Sequence, residues 1–415
     1  MTPLQAVAAG LRALPRAAQP FASTQAAWRF YRNERTGLAK LAQPLIERAR
    51  QAVPDACDDY ALIVHDWSLL HYREHTSKRD RVELGNSQDL GYELLASLAV
   101  SDRDGAPLAP VCQQLRAAAG VYSTRSARTL ADRSQLDMLA PVLAHVEGLG
   151  LGRRCVHIID AEADSVGHYR RWARQGRLFL VRADEERGVL FQGQECRLSE
   201  VAEALWARGA FRKTRQVDYH GREAQQWVAE AEVVLHRPAR PHRKGQKRVV
   251  VPGRPLRLRL VVSVLRVDGE SKERWLLLTN VPAAVVAERV ALWYFWRWVV
   301  ETYFKLLKGA GQQLEQWQQE TGLAVAKRLL LASMACVVVW EVARAAGPEA
   351  EALRAVLVRL SGRQMKWGKS YTQPALLAGL WVLLSMLELL EHYDLDELRR
   401  LANFARPSCE PDDST

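Results

Sequence analysis

Apolar residues recur at helical spacing through residues 23–52, where Ser23-Thr24-Gln25 is placed to cap a helix through Ala27 to Tyr31 and Leu38 to Ala52 continues the period. At Tyr60-Ala-Leu-Ile-Val-His-Asp66 the pattern becomes a short apolar run ending in an acid, which predicts a buried strand. Tyr92 to Val100 and Pro107 to Leu115 lean towards β, and Asp102-Arg103-Asp104-Gly105 between them is a turn signal. Helical spacing returns over 124–148. Cys155-Val-His-Ile-Ile159, followed at once by Asp160, and Arg177-Leu-Phe-Leu-Val-Arg182 predict two more strands. Residues 184–274 differ: Gln216 to Val234 and Leu256 to Val267 alternate apolar and polar, so this stretch is expected to be mostly β. Trp275-Leu-Leu-Leu-Thr279 reads as a buried strand, 284–346 as helical, and 349–404 as a last helical part interrupted by the basic segment Arg363-Gln-Met-Lys-Trp-Gly-Lys369. Strands alternating with helices imply a mixed α/β core.

The length of 415 residues suggests two or three domains. Hydrophobic residues at 48% and charged residues at 25% exclude a disordered or collagenous chain. Six cysteines, Cys57, Cys112, Cys155, Cys196, Cys336 and Cys409, form no C-x-x-C pair, which argues against zinc knuckles and redox pairs and fits a reducing compartment. The N-terminal segment has no continuous apolar core of a signal peptide. The longest apolar runs, Leu329 to Trp340 and Leu376 to Leu390, fall short of the roughly 20 residues of a membrane span. A cytoplasmic protein without membrane contact is the expectation.

The net charge of +11 points to a polyanionic partner. Ten of the bases lie in the 35 residues 233–267, which hold no acid: Arg237, Arg240, Arg243, Lys244, Lys247, Arg248, Arg254, Arg257, Arg259 and Arg266. Such a run is either a solvated loop or a surface that follows phosphates.

The segment Leu292 to Lys308 carries the most chemistry. On a continuous helix, Tyr294, Arg297, Glu301, Lys305 and Lys308 share an arc of roughly 80°, while aromatic and aliphatic residues fill the rest. Glu301 and Lys305 could be a plain surface ion pair. So broad an apolar face around so narrow a polar strip instead suggests an acid sunk among bases. Asp66 and Asp160 follow apolar strands, although each could also be a turn or helix-start acid. Three carboxylates from separate elements are what a hard divalent cation needs to activate water for phosphodiester attack.

Tyr294-x2-Arg297-x3-Glu301-x6-Lys308 resembles the Y-R-E-K signature of bacterial insertion-sequence transposases of the DDE class, the insertion-sequence-four family with its Tn-five-like members. Ile159-Asp-Ala-Glu-Ala-Asp164 is similar to that family's D-R-E-A-D segment, with Ala161 in place of arginine. Val64-His-Asp-Trp-Ser-Leu-Leu-His-Tyr72 resembles the segment of its first catalytic aspartate, Trp275-Leu-Leu-Leu-Thr279 the strand before its signature helix, and Ala27-Trp-Arg-Phe-Tyr-Arg-Asn33 its N-terminal region. The resemblance implies a ribonuclease-H-like mixed five-stranded core over 57–183 and 275–346. A β-rich insertion with the basic segment would occupy 184–274, an N-terminal helical DNA-binding region 1–56 and a C-terminal helical region 347–415.

It further implies cut-and-paste DNA transposition through a hairpin intermediate. Asp66, Asp160 and Glu301 would be the catalytic acids and the ligands of two Mg²⁺ ions, for which Mn²⁺ could substitute. Tyr294, Arg297, Lys305 and Lys308 would hold DNA phosphates, Trp275 would stack on a flipped base, and Arg182 would touch DNA. The partners would be transposon ends and target DNA, gripped by a homodimer. The short segment before residue 27 implies weak or absent end recognition, and Ala161 the loss of a salt link or DNA contact. Two alternatives stay open: a DNA-binding remnant that no longer transposes, and a metal-dependent nuclease of the same fold.

Overall fold

The computed structural model describes residues 20–404 apart from 86–87, 126–134, 220, 241–248, 310–311 and 366. Two N-terminal helices, α1 (Pro20–Arg32) and α2 (Leu38–Ala56), lead into the first strand. Helix α1 starts at Pro20, ahead of the cap expected at Ser23. The strands are β1 (Tyr60–His71), β2 (Val82–Glu83), β3 (Leu90–Ser101), β4 (Pro107–Ala117), β5 (Gly120–Ser123), β6 (Arg154–Ile159), β7 (Leu178–Arg182), β8 (Gly188–Phe191), β9 (Gln194–Arg197), β10 (Arg212–Tyr219), β11 (Arg222–Leu235), β12 (Leu256–Val267) and β13 (Glu270–Thr279). Between them run α3 (Gln135–Glu147), α4 (Val166–Arg174) and α5 (Leu198–Ala207). After β13 come α6 (Ala287–Phe295), α7 (Val299–Lys308), α8 (Gly322–Arg344), α9 (Pro348–Leu360), α10 (Gln373–Leu390) and α11 (Leu395–Phe404).

All thirteen strands join one mixed sheet in the order β5-β4-β3-β1-β6-β7-β13-β12-β11-β8-β9, with β10 beside β11 and β2 beside β3. Strands β1, β6 and β7 are parallel; on the other side of β1, β3 runs antiparallel to it and β4 antiparallel to β3, so β4 again points the way of β1. Their apolar runs are buried on both faces, as parallel strands require when helices cover the sheet. The β-rich stretch is not a separate layer. Strand β13 pairs with β7 through Leu277↔Arg182 and Leu278↔Val181, so β10 to β13 prolong the same sheet. Within this stretch, expected to be mostly β, helix α5 is an addition.

The turn between β3 and β4 ties the sheet to the start of β1. Buried Asp102 accepts hydrogen bonds from the backbone N–H groups of Asp58, Asp59 and Tyr60 at 2.7, 3.1 and 3.0 Å. Gly105 closes that turn with φ +76°. A Cβ there would stand 2.5 Å from the Trp296 ring, on the segment that leads to Arg297. Gly105→Ala should therefore destabilise the protein by about 1–3 kcal/mol, through strain and overpacking together. Denaturant unfolding measures this, and an unchanged midpoint would show that the Trp296 contact gives way freely.

A buried polar chain crosses the core behind β1. Ser97 Oγ meets His65 Nδ1 at 2.8 Å, His65 Nε2 meets His157 Nδ1 at 2.9 Å, and His157 Nε2 lies 3.5 Å from Glu147. Burial pushes the His157 pKa down, with Glu147 pulling the other way, so the ring is held neutral. A depressed histidine contributes stability that is full above its unfolded pKa near 6.5 and is lost as pH falls below it. At one unit below that value the loss from His157 can reach about 1.4 kcal/mol. Wild type should thus lose more stability between pH 7.5 and 5.5 than His157→Gln does; equal losses would refute a buried neutral ring.

Helix α8, 23 residues long, and α10, 18 residues long, are both long and apolar enough to cross a membrane, contrary to the expectation from run length. Most of α8 is buried, packed against α2, α7 and β4.

Candidate functional site

The parallel pairing of β1 and β6 ends at His65↔Ile159. Asp66 and Asp160 are the next residue on each strand, so the register alone sets the two carboxylates side by side. Asp66 does not end its strand, as the apolar run suggested. Strand β1 continues to His71, still paired with β3 through Asp66↔Ala96. The site therefore lies where β6 stops, at the carboxyl end of the parallel strands, where open α/β sheets commonly bind ligands. Asp160 leads into a 3₁₀ turn (Ala161–Ala163), and its side chain accepts from Ala161 N at 2.7 Å.

The third acid arrives on α7, which packs against β1. The expected continuous helix from Leu292 to Lys308 is interrupted: α6 ends at Phe295, a 3₁₀ turn covers Trp296–Trp298, and α7 follows. Arg297 sits in that turn. Arg297 and Glu301 still meet across the turn, Nη2 lying 3.5 Å from Oε1.

Arg297 is the centre of the site. Its guanidinium is buried and reaches all three acids: Nη1 lies 3.3 Å from Asp66 Oδ2, and Nη2 lies 3.1 Å from Asp160 Oδ2 and 3.5 Å from Glu301 Oε1. Burial pulls the Arg297 pKa down, but Tyr294, Asp160, Asp66 and Glu301 outweigh it, so the group stays charged. Burial lifts the Asp66 carboxyl to about 6, against Arg297 and the Trp67 N–H, with Glu162 and Asp160 adding repulsion. Around this core, Arg182 Nε contacts Asp160 Oδ1 at 2.9 Å and the Tyr294 hydroxyl donates to the same oxygen at 3.0 Å.

A cleft of about 640 Å³ opens over these groups, lined by Asp66, Asp160, Arg297, Glu301, Lys305 and Lys308 with Trp67, Ser68, Phe304 and Gly309. Lys305 is exposed at its edge. Lys308 is partly committed, donating to Leu69 O at 2.6 Å and lying 3.3 Å from Glu315. Trp275 is 2% exposed, its ring packed on Tyr294, Phe295 and Trp298. It supports the Tyr294 side of the site from beneath and does not line the cleft.

The acid-rich segment after β6 divides into separate roles. Asp164 is structural: its carboxylate takes the Tyr169 hydroxyl at 2.9 Å, the Asp184 N–H at 2.9 Å and the Arg187 guanidinium at 2.8 Å. Glu162 stays near the site, where burial and the charge of Asp160 raise its pKa. Its helical-start position hid it among ordinary cap acids.

Among the described residues, no group of three or more His, Cys, Asp or Glu side chains is arranged to hold a metal ion. The guanidinium of Arg297 stands between the three carboxylates and balances their charge. The donor set is nevertheless all oxygen, drawn from β1, the end of β6 and α7, and of the kind that suits a hard divalent cation.

The acid-free basic run is only partly an open positive surface. Arg259 pairs with Glu230 at 2.7 Å and Arg257 with Glu232 at 3.0 Å, both across the β11–β12 ladder, and Arg237 lies 3.3 Å from Glu195. Arg243, Lys244, Lys247 and Arg248 lie outside the described residues.

No family model matches the chain, and no curated protein matches it. Among solved structures it is similar to the piggyBac transposase in the cryo-EM structure of its synaptic complex with hairpin DNA, at 12% identity and a TM-score of 0.36. That similarity covers 86% of this chain and 60% of the other chain.

Proposed function

We propose that this chain is a DNA transposase of the DDE class, cutting and joining DNA with Asp66, Asp160 and Glu301. The observation that carries this reading is the meeting of three carboxylates from three separate elements in one cleft, with Arg297, Lys305 and Lys308 beside them. The strand order β4-β3-β1-β6-β7, with only β3 antiparallel to β1, supports a ribonuclease-H-like core.

In this reading Asp66, Asp160 and Glu301 hold two Mg²⁺ or Mn²⁺ ions. When bound, such ions supply Lewis-acid activation of the attacking oxygen and stabilisation of the leaving oxygen. The chain's own residues do the rest. Arg182 and Tyr294 fix the Asp160 carboxylate, so it is oriented in advance. Arg297, once turned from the acids, and Lys305 bind phosphate oxygens and offset the charge that builds there. Lys308 anchors α7 to β1 and keeps Glu301 over the two aspartates. The DNA partners are the ends of a mobile element and its target, the assembly is a homodimer, and the work is done in the cytoplasm.

The test is incubation of the protein with end-labelled DNA carrying the repeats that flank its reading frame, with Mg²⁺, Mn²⁺ or EDTA. Divalent-dependent nicking followed by joining to target DNA is expected. Nicking without joining would reduce the protein to a nuclease, and specific binding without nicking to a DNA-binding remnant. The second outcome has one observation in its favour, the guanidinium already seated among the acids.

A further inference from the structure

The turn between α9 and α10 has no part in the cleft, yet its composition is unusual. From Ala352 to Leu387 the chain has no acid and five bases: Arg354, Arg359, Arg363, Lys366 and Lys369. Arg354 is committed to the fold, donating to Val342 O and Ala345 O at 3.0 and 2.7 Å. Arg359, Arg363 and Lys369 are exposed, and no acid pairs with them among the described residues.

Trp367 stands among these bases with its whole surface in solvent, at 102% relative exposure. The other two exposed tryptophans each rest on a neighbour: Trp28 under Arg32 at 4.0 Å and Trp206 against Phe211 at 4.8 Å. The turn that carries Trp367 is anchored at both ends. Ser361 N donates to Leu357 O, the Tyr371 hydroxyl donates to Ala343 O at 3.1 Å, and Thr372 caps α10. Gly362 and Gly368 adopt φ +62° and +74°, conformations that fold the segment tightly and leave the indole at its tip.

An aromatic face beside unpaired cations is the combination that binds unpaired nucleotides: the ring stacks on a base and the bases of the turn take the phosphates. A bilayer anchor would need aliphatic neighbours. Here the neighbours of Trp367 in sequence include Gln364, Gly368 and Ser370 and a single apolar residue, the half-buried Met365, while the exposed Met386, Leu387 and Leu390 lie near the far end of α10, about 27 Å along an 18-residue helix. We propose that the 361–370 turn is a second nucleic-acid contact, separate from the cleft, in which Trp367 stacks on an unpaired base and Arg363 and Lys369 hold adjacent phosphates. It rests on the reading of this chain as a protein that acts on DNA.

The experiment compares binding of a fluorescent single-stranded oligonucleotide, and of a duplex with an unpaired overhang, by the full chain and by Trp367→Ala, Trp367→Phe and the double variant Arg363→Gln/Lys369→Gln. Trp367→Ala should bind the unpaired DNA roughly ten-fold more weakly, and Trp367→Phe should recover most of that loss. The double variant should lower the slope of log affinity against log salt by about 1.4. Melting temperatures should match wild type, since the indole touches nothing. Equal affinity of wild type and Trp367→Ala for unpaired DNA, with wild type binding it, overturns the inference alone. So does Trp367-dependent binding to anionic phosphatidylserine vesicles with DNA binding unchanged. Absence of DNA binding by wild type overturns the functional reading as well.

Discussion

On the proposed function, Glu301→Gln should lower divalent-dependent DNA cleavage by at least about 10³-fold while leaving the fold and DNA binding intact, since removing one group that stabilises developing charge costs on the order of 10²–10³-fold and Glu301 would be a metal ligand as well. Glutamine keeps the size and one carbonyl oxygen but not the charge. The Glu301 side chain is 43% exposed and its contact with Arg297, at 3.5 Å, is the longest of the three. Little stability depends on it. Asp66→Asn and Asp160→Asn should abolish cleavage equally, because the carboxylates act as one set. End-labelled cleavage in Mg²⁺ and in Mn²⁺, with binding measured in EDTA, separates a chemical loss from a binding loss. Cleavage by Glu301→Gln at the wild-type rate would remove Glu301 from the mechanism.

Arg297→Leu is the second large effect, and its readout is stability. In the folded protein this buried guanidinium is the shared partner of Asp66, Asp160 and Glu301. Taking it away leaves Asp66 and Glu301 without this counter-charge and Asp160 with Arg182 alone. Breaking a buried pair in this way costs about 3–5 kcal/mol, or a melting temperature lower by roughly 3–6 °C. Arg297→Lys should fall between, because an ammonium cannot span three carboxylates as a planar fork does. A divalent cation should then make good the missing charge. Mn²⁺ at about 100 times its dissociation constant adds about 2.7 kcal/mol to a protein that binds it only when folded. The melting temperature of Arg297→Leu should therefore rise more with Mn²⁺ than that of wild type, where the cation competes with the guanidinium. Adding Glu301→Gln should shrink that rise. Equal rises in wild type and Arg297→Leu would show that the cation binds elsewhere.

How legible the molecule was from its sequence follows from the range of the interactions involved. Local periodicity placed β1, β3, β4, β6 and β7, because burial on one or both faces repeats within a few residues. It also placed the turn at 102–105 and the run of helices after β13. The stripe from Tyr294 to Lys308 was readable for the same reason, as it needs only helical geometry, and it survived the 3₁₀ turn at Trp296–Trp298. Helix α5 was missed: ten residues inside a strand-rich stretch give too short a period to stand out.

Other features had no local signal. That Asp66 and Asp160 are neighbours follows from the parallel register of strands some ninety residues apart, which hydrogen bonding between β1 and β6 decides. The joining of β13 to β7, which carries β10 to β13 into the same sheet, likewise depends on pairing between distant strands. The run 233–267 holds no acid, yet two of its arginines are neutralised by Glu230 and Glu232 from the facing strand, since cross-strand pairing ignores sequence distance. The sequence by itself determined which charged residues share a helical stripe or follow an apolar strand, and the local shape on which each rides. Only the tertiary structure decided that Arg297 stands among the three acids, because that position depends on strand register and on how α7 packs across β1, and both are set by contacts between distant parts of the chain.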